Sequence, residues 1–233
     1  MPAASSIRAR VRAEMTAEIK AAARRHLETD GANLSLRAVA RDMGMVSSAV
    51  YRYFASRDEL LTALIVDAYN ALGETVEAAD AAVADRGLLR QRWLVTARAV
   101  RGWALAHPAE YALLFGSPVP GYAAPDDTIV AAARTPVVLL RILADGVAAG
   151  TLAARADPVA ARLTEPVRAD LDRARAGIAL GVPDELMLAA MAAWTQLFGM
   201  VSFELFGQFN RVVEARPEFF DQQAELMADV IGL

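Results

Sequence analysis

Apolar residues recur every three or four positions along nearly the whole chain, and no run alternates apolar and polar residues convincingly with period 2. The first spacing is typical of one face of an α-helix, whereas strict alternation is typical of a half-buried strand. The 233 residues are 55% hydrophobic, which allows one large domain or two small ones with a substantial core. The pattern predicts an all-α fold.

The segment 35–54 predicts two short helices joined by a tight turn. The first helix has the apolar stripe Leu36, Val39, Ala40 and Met43. Ser35 precedes this stripe, where its hydroxyl can accept a hydrogen bond from a free backbone N–H. Gly44 follows the stripe, where helices commonly end with a positive φ.

The second helix of this pair is predicted to bury Val50 and Phe54, and Ser47 or Ser48 can cap it. Its outward residues are Ser47, Ser48, Ala49, Tyr51, Arg52 and Tyr53. Small residues allow close approach to a DNA groove, while Arg and Tyr reach phosphates or base edges. A plain core hairpin with a glycine turn is the alternative interpretation.

The string Gly44-x-x-x-x-x-Val50-Tyr51-Arg52-Tyr53-Phe54, followed by Ser56-Arg57-Asp58-Glu59-Leu60-Leu61, resembles the DNA-binding domain of tetracycline-repressor (TetR) family regulators. The resemblance extends from about Val11 to Gly73. The family often has Ser where this chain has Val46, and Lys where it has Arg57. It implies an N-terminal three-helix DNA-binding domain over 1–73, with its helix-turn-helix at about 35–54. It also implies a helical ligand-binding and dimerisation domain over 74–233.

Two further helices flank the pair. The apolar positions of the first are Ile7, Val11, Met15, Ile19, Ala22, Ala23 and Leu27, and it is predicted to end near Gly31. Arg8, Arg10 and Arg12 at its start are either a flexible arm for DNA or solvated charges. Ser56 and Glu59 form a capping box that opens a helix predicted to continue to about Asp80.

Charge is distributed unevenly along the chain. Residues 1–60 carry ten basic and seven acidic side chains, a net +3, so the total of −4 leaves −7 for residues 61–233. A basic head on an acidic body fits a protein that presents one end to phosphates, although chance also produces such an asymmetry. The residues expected at DNA are Ser35, Arg37, Val46, Ser47, Ser48, Ala49, Tyr51, Arg52, Tyr53 and Arg57.

The remainder predicts further helices. One carries Leu89, Trp93, Thr96, Val100 and Trp103 on one face and ends at His107-Pro108. A short helix from Pro108 precedes a Pro- and Gly-rich loop over 116–125. Asp126 or Asp127 is expected to cap a helix that runs to about Gly150. A polar helix is predicted over 158–180, then helices over 183–209 and from Pro217 onward.

The helix over 183–209 is apolar on two faces, so two faces must be covered. With the last helix it could form a four-helix bundle between two copies, which is also how the resembled family dimerises. The expected interface residues are Met187, Met191, Trp194, Phe198, Val201, Leu205, Phe220 and Met227. A central core helix in a monomer is the alternative. Polar residues interrupt the apolar stretch, so no membrane span is expected.

The aromatic and Met side chains of the body are most simply core, but the resemblance implies a small-molecule pocket. The candidate lining residues are Trp93, Trp103, Tyr111, Phe115, Met191, Trp194 and Thr195. The ligand would be small and apolar. It could regulate DNA binding only by preferring the arrangement that does not bind DNA.

The sequence offers little catalytic chemistry. Cysteine is absent, and the two histidines, His26 and His107, have no ligand-spaced partners. No nucleophile elbow or phosphate-binding glycine motif occurs. We therefore expect no enzyme activity, metal or cofactor. The N-terminus lacks the apolar region of a secretory signal, so a cytoplasmic location is expected.

These patterns together predict a homodimeric transcription regulator, most simply a repressor of a palindromic operator, with double-stranded DNA and a small ligand as partners. Two other classes stay open. The chain could be a helical ligand-binding or enzymatic protein that has retained a DNA-binding head, or a protein-interaction module. A gel shift with the chain's own upstream region separates the transcription regulator from these two classes.

Overall fold

The computed structural model describes residues 3–31, 33–153, 163–176 and 181–233, and every regular element in these ranges is helical. The α-helices of these ranges are α1 (Ala3–Asp30), α2 (Leu36–Asp42), α3 (Ser47–Val50), α4 (Arg57–Ala81), α5 (Leu89–Ala106), α6 (Pro108–Phe115), α7 (Ile129–Ala148), α8 (Glu165–Ala176), α9 (Asp184–Leu205) and α10 (Arg216–Ile231). A 3₁₀ turn, Asp126–Thr128, precedes α7. The prediction of an all-α fold is confirmed.

Most helix boundaries follow local sequence signals. Gly31 adopts φ +57° directly after α1, and Gly232 adopts φ +94° directly after α10. His107 is non-helical because a residue before proline avoids the helical region, and Pro108 then opens α6. Of the polar helix predicted over 158–180, the structure describes α8, while 158–162 and 177–180 lie outside the described residues.

Some local predictions differ from the structure. Arg8, Arg10 and Arg12 lie within α1, so they do not form an extended arm. Asp126 and Asp127 lie inside the 3₁₀ turn and do not cap the helix. The turn is held instead by the hydroxyl of its last residue, Thr128, which donates to the carbonyl of Pro125 at 2.8 Å.

The chain divides into two compact units, and each unit consists of two separate segments of the sequence. The first unit contains Met1–Ala71 and His107–Ala132, and the second contains Leu72–Ala106 and Ala133–Leu233. Helix α4 contributes residues to both. The domain boundary near residue 73 stays a prediction.

The first unit has a core built from α1 to α4. Its buried members are Ile19, Ala22, Ala23, Leu27, Leu34, Leu36, Val39, Ala40, Val50, Phe54, Leu60, Leu61 and Leu64. The returning segment adds to this core: Ala109, Leu113, Val119 and Tyr122 pack against it. The hydroxyls of Tyr122 and Thr62 are 2.9 Å apart and hydrogen-bonded.

The second unit is organised around α5, which packs against α9 and α10. Every residue of the predicted α5 face is buried: Leu89, Trp93, Thr96, Val100 and Trp103. The indole N–H of Trp93 donates to the carbonyl of Ala224 in α10 at 2.8 Å. Arg101 of α5 makes a bidentate pair with Glu204 of α9, at 2.8 and 2.7 Å.

A charged network that the sequence did not suggest lies inside this unit. Arg92 of α5 is fully buried, and its guanidinium binds Asp80 at 2.8 Å and Asp145 at 2.7 Å. Arg86 also pairs with Asp80. The network joins the end of α4, the start of α5 and helix α7. Because Arg92 is paired on both sides, its burial leaves no uncompensated charge.

In the described part of the chain, α9 is the helix that is long and apolar enough to cross a membrane by length and composition. Met187, Leu197 and Val201 of this helix are nevertheless fully buried within the chain. The helix therefore has the character of a core helix, with one face left toward solvent.

Candidate nucleic-acid interface

The helix-turn-helix pair has the geometry that the sequence predicts. Helices α2 and α3 are separated by a turn in which Gly44 adopts φ +64°. A Cβ at Gly44 would meet no atom within 4 Å, so the backbone conformation, not the space, favours glycine here. Val50 and Phe54 are buried, as predicted. This burial fixes the α3 segment on the core and turns its other side to solvent.

Neither predicted serine cap is formed. Ser35 occupies the N-cap position of α2 but makes no capping hydrogen bond. Helix α3 begins one residue earlier than a serine cap requires, so Val46 is its N-cap and Ser47 lies inside the helix. By contrast, the capping box of α4 is present in modified form. Ser56 accepts from the N–H of Glu59, whose carboxylate accepts from the N–H of Ala55.

The outward side of α3 carries most of the predicted residues. The exposed ones are Val46, Ser48, Tyr51 and Arg52, and the half-buried ones are Ser47, Ala49 and Tyr53. Arg12 of α1 supports this segment, because its guanidinium donates to the carbonyl of Arg52 at 3.2 Å. The same guanidinium lies 5.2 Å from the centre of the Tyr53 ring, a cation–π contact.

A groove of about 540 Å³ adjoins this surface. It is lined by Leu34, Ser35, Leu36, Arg37, Tyr51, Ala55, Ser56 and Arg57. The orientation of the Arg57 side chain is fixed, since its Nε donates to the carbonyl of Leu34 at 3.0 Å. Hydroxyl, phenol and guanidinium groups thus meet in one concavity beside the first turn of α4, which is a suitable environment for a phosphate.

Internal ion pairs neutralise some basic residues of the first unit and leave others available. Lys20 and Arg24 pair with Asp67, and Arg25 pairs with Asp42. Within the described residues, Arg37, Arg41 and Arg52 form no ion pair, and all three are exposed on or beside the helix-turn-helix pair. Part of the uncompensated positive charge of the first unit therefore lies where the sequence analysis expected DNA.

The predicted ligand-pocket residues are divided between the two units. Tyr111 and Phe115 belong to the first unit, where their rings are 4.9 Å apart. Thr195 is exposed, with its hydroxyl bonded to the carbonyl of Ala192, and Trp103 is buried in α5. Within the described part of the chain, Trp93 borders a void of about 10 Å³.

Met191 and Trp194 do line a larger cavity of about 270 Å³ between α7, α8 and α9. The described residues that line it are Ala133, Pro136, Val137, Leu139, Leu140, Ala174, Met187, Ala190, Met191 and Trp194. All ten side chains are apolar or aromatic. The sequence does not mark the lining side chains of α7 and α8, because small aliphatic residues give no signal that separates a cavity wall from a packed core.

The predicted dimer residues also separate into two groups. Met187, Val201, Phe220 and Met227 are buried in the core of the chain itself, so they present no surface to a second copy. Met191 is 43% exposed, while Trp194, Phe198 and Leu205 are half-buried. Exposed apolar residues missed by the sequence analysis are Phe203, Phe206, Leu226 and Val230.

Comparison with protein families gives two matches that together cover most of the chain. Residues 19–64 match the tetR family of bacterial regulatory proteins, and residues 93–227 match the tetracyclin repressor-like C-terminal domain. The first match contains the helix-turn-helix pair, and the second contains α6 to α9 and most of α5 and α10.

Individual proteins agree with these matches. The HTH-type transcriptional regulator Rv1816 of Mycobacterium tuberculosis is 42% identical over 229 residues, which cover 95% of this chain and 94% of the relative. The regulator Mb1846 of Mycobacterium bovis matches to the same extent. The crystal structure of regulatory protein SCO4313 superposes with a TM-score of 0.76 and 36% identity, covering 94% of this chain and 98% of that chain. The chain is thus a TetR-family protein, an HTH-type transcriptional regulator and not an enzyme.

Proposed function

We propose that the protein is a ligand-responsive repressor that binds a palindromic operator as a homodimer. The observation that carries the proposal is the concentration of uncompensated arginines, with Tyr51 and Ser35, on and beside the helix-turn-helix pair. Residues 1–73 would form the DNA-binding domain and residues 74–233 the ligand-binding and dimerisation domain. A protein of this kind acts in the cytoplasm, where its operator is.

At the operator, each side chain has a role set by its chemistry. Ser47, Ser48 and Ala49 are small enough to let α3 approach the base edges in the major groove. Ser35, Arg37, Tyr51, Tyr53 and Arg57 would contact phosphates. In a two-fold dimer the two α3 helices would be about 34–36 Å apart, one turn of B-DNA.

Footprinting on DNA upstream of the protein's own gene tests this function. We expect one protected palindrome and an affinity that falls steeply with salt. Arg37→Ala should weaken binding to all sequences, and the slope of log K against log salt should fall by about one for each lost phosphate contact. Arg37 suits this test better than Arg57, because Arg57 also holds the Leu34 carbonyl.

Arg173→Ala is the matched control, since Arg173 is an exposed arginine of the second unit. It removes the same charge and should leave the salt slope unchanged. If the wild-type protein shows no sequence-selective binding to DNA, the proposal fails. The chain would then be a ligand-binding protein that has retained a DNA-binding domain without its function. An equal loss of slope in both variants would argue against a phosphate contact by Arg37.

The dimer proposal rests on the solvent face of α9. Met191, Thr195, Gly199 and Ser202 recur there at helical spacing, and Phe206 directly follows the helix. A Cβ placed at Gly199 would meet no atom within 4 Å, so the chain itself does not require glycine at this position. Glycine inside a helix is unfavourable by about 1 kcal/mol, and Gly199 lies on the same helix face as the exposed apolar side chain of Met191, so we infer that a second α9 approaches closely there.

The ligand proposal rests on the cavity between α7, α8 and α9. A charged or strongly polar molecule would lose its hydration there, because among the described lining residues the indole N–H of Trp194 is the only side-chain hydrogen-bonding group. The ligand should therefore be neutral and largely apolar, and larger than benzene, for which a cavity of about 150 Å³ suffices. It would act by binding more tightly to the arrangement that has low affinity for DNA.

A further inference from the structure

Val46 has an exposed apolar side chain in a region where nearly all large apolar side chains are buried or half-buried. Among the described residues between Met15 and Leu72, the exposed large apolar or aromatic side chains are Val46 and Tyr51. Val46 is 70% exposed and Tyr51 is 44% exposed. The phenol of Tyr51 can hydrogen-bond to a phosphate, whereas the isopropyl group of Val46 has no polar atom. Neither the core nor a polar contact explains valine at this position.

The backbone holds Val46 in a defined place. The residue is extended, with φ −71° and ψ 139°, and directly precedes α3. Its carbonyl accepts the N–H of Ala49 at 2.9 Å. A β-branched side chain has few χ1 rotamers, so its two methyl groups point in a restricted set of directions and lose little entropy on contact. Val46 therefore presents a stiff apolar contact beside the residues proposed to lie near bases.

The major groove offers one apolar group to such a contact, the C5-methyl group of thymine. All other base edges there present hydrogen-bond donors or acceptors, to which valine contributes nothing. We infer that Val46 of each subunit packs against the C5-methyl of one thymine in its half-site. This inference rests on the DNA-binding function proposed above, and it names a base that the operator must contain at one symmetric position.

Replacing thymine by deoxyuracil tests the inference, because this change removes the methyl group and keeps every hydrogen-bonding atom. Duplexes that the full-length protein selects from a random pool provide the operator. Each thymine of one half-site is then replaced in turn, and the affinity is measured at fixed salt. We expect one position at which deoxyuracil weakens wild-type binding about three- to fivefold, the effect of burying one methyl group.

Val46→Ala should bind the thymine and deoxyuracil duplexes equally at that position. Val212→Ala makes the same change at a valine that is 75% exposed in the second unit, and should discriminate like the wild type. The inference is overturned if no deoxyuracil duplex binds more weakly, or if Val46→Ala keeps the discrimination. In both cases the selected operator still supports DNA binding. Failure to select any sequence would overturn the proposed function as well.

Discussion

Arginine has two different roles in this protein, and burial separates them. Arg92 is fully buried between Asp80 and Asp145 and joins three helices of the second unit. Arg37 is exposed and forms no ion pair within the described residues, so it is available to a phosphate. Sequence position alone did not distinguish the two, because the partners of Arg92 are distant along the chain.

The buried pair should make the protein sensitive to acid. Burial by itself would raise the pKa of Asp80, but hydrogen bonds from Arg92 and Arg86 outweigh it, so the pKa lies below the ordinary value of 3.8. A carboxyl with a lowered pKa stabilises the folded state above its unfolded pKa. That contribution is lost as the pH falls through the folded pKa.

Asp80→Asn should lower the free energy of unfolding at pH 7 by about 2–4 kcal/mol, because it leaves the buried Arg92 with one carboxylate fewer. Urea unfolding followed by circular dichroism measures this change. Between about pH 5 and pH 3 the variant should lose less stability than the wild type. Asp229→Asn removes an exposed partner of Arg90 and should cost less than about 1 kcal/mol. Equal losses of unfolding free energy in the two variants would contradict the idea that the burial of Arg92 strengthens its pairing with Asp80.

The serine caps illustrate what residue type alone cannot predict. Ser35 has the right type and position for a cap, yet it makes no capping bond, and the start of α3 differs by one residue. Propensity identifies which residues can cap a helix. The hydroxyl direction and the start of a four-residue helix depend on how the segment packs, which a local pattern does not contain.

Among the elements, α9 shows most clearly what periodicity predicts. The spacing correctly indicated a helix with two apolar stripes. It could not indicate which stripe meets the chain's own core, because an apolar face is the same whether its partner is α5, α10 or a second copy. Met187 and Val201 are therefore core residues, whereas Met191 lies on the open side. Helix α5 was easier to predict, since its whole apolar face is covered within one chain.

Gly199→Leu tests the open side of α9. A Cβ at this position meets no atom within 4 Å in the single chain, so we expect the fold to be retained and a second helix to be kept away. We expect a monomer by sedimentation at micromolar concentration, and a dimer for the wild type under the same conditions. Gly102→Leu is the control: Gly102 is an exposed mid-helix glycine of α5 with equally open surroundings, and this variant should remain dimeric. A dimeric Gly199→Leu protein would exclude this face as the interface.

At the scale of the whole molecule, ligand and operator binding should be linked. Thermal unfolding with a panel of neutral aliphatic and aromatic compounds should identify ligands that raise the melting temperature. The same compounds should weaken operator binding, because the proposed ligand binds more tightly to the arrangement that has low affinity for DNA. Ala133→Phe, which narrows the cavity, should abolish both effects.

Ala148→Phe places the same side chain at an exposed position of α7 outside the cavity lining, and it should leave both effects intact. A compound that stabilises the protein without changing operator affinity would bind without regulating. Stabilisation that persists in Ala133→Phe would place the ligand elsewhere.

The path of the chain affects how this protein can be dissected. The chain passes from the first unit to the second within α4, and α5 belongs to the second unit. Residues 107–132 belong to the first unit again, and the chain re-enters the second unit near the start of α7. A fragment ending at residue 73 would therefore lack Leu113, Val119 and Tyr122, and would expose the apolar surface that they cover. Transplanting the N-terminal segment onto another regulator would carry the same defect. The two halves are interleaved in sequence, so a working chimera must exchange the returning stretch together with the head.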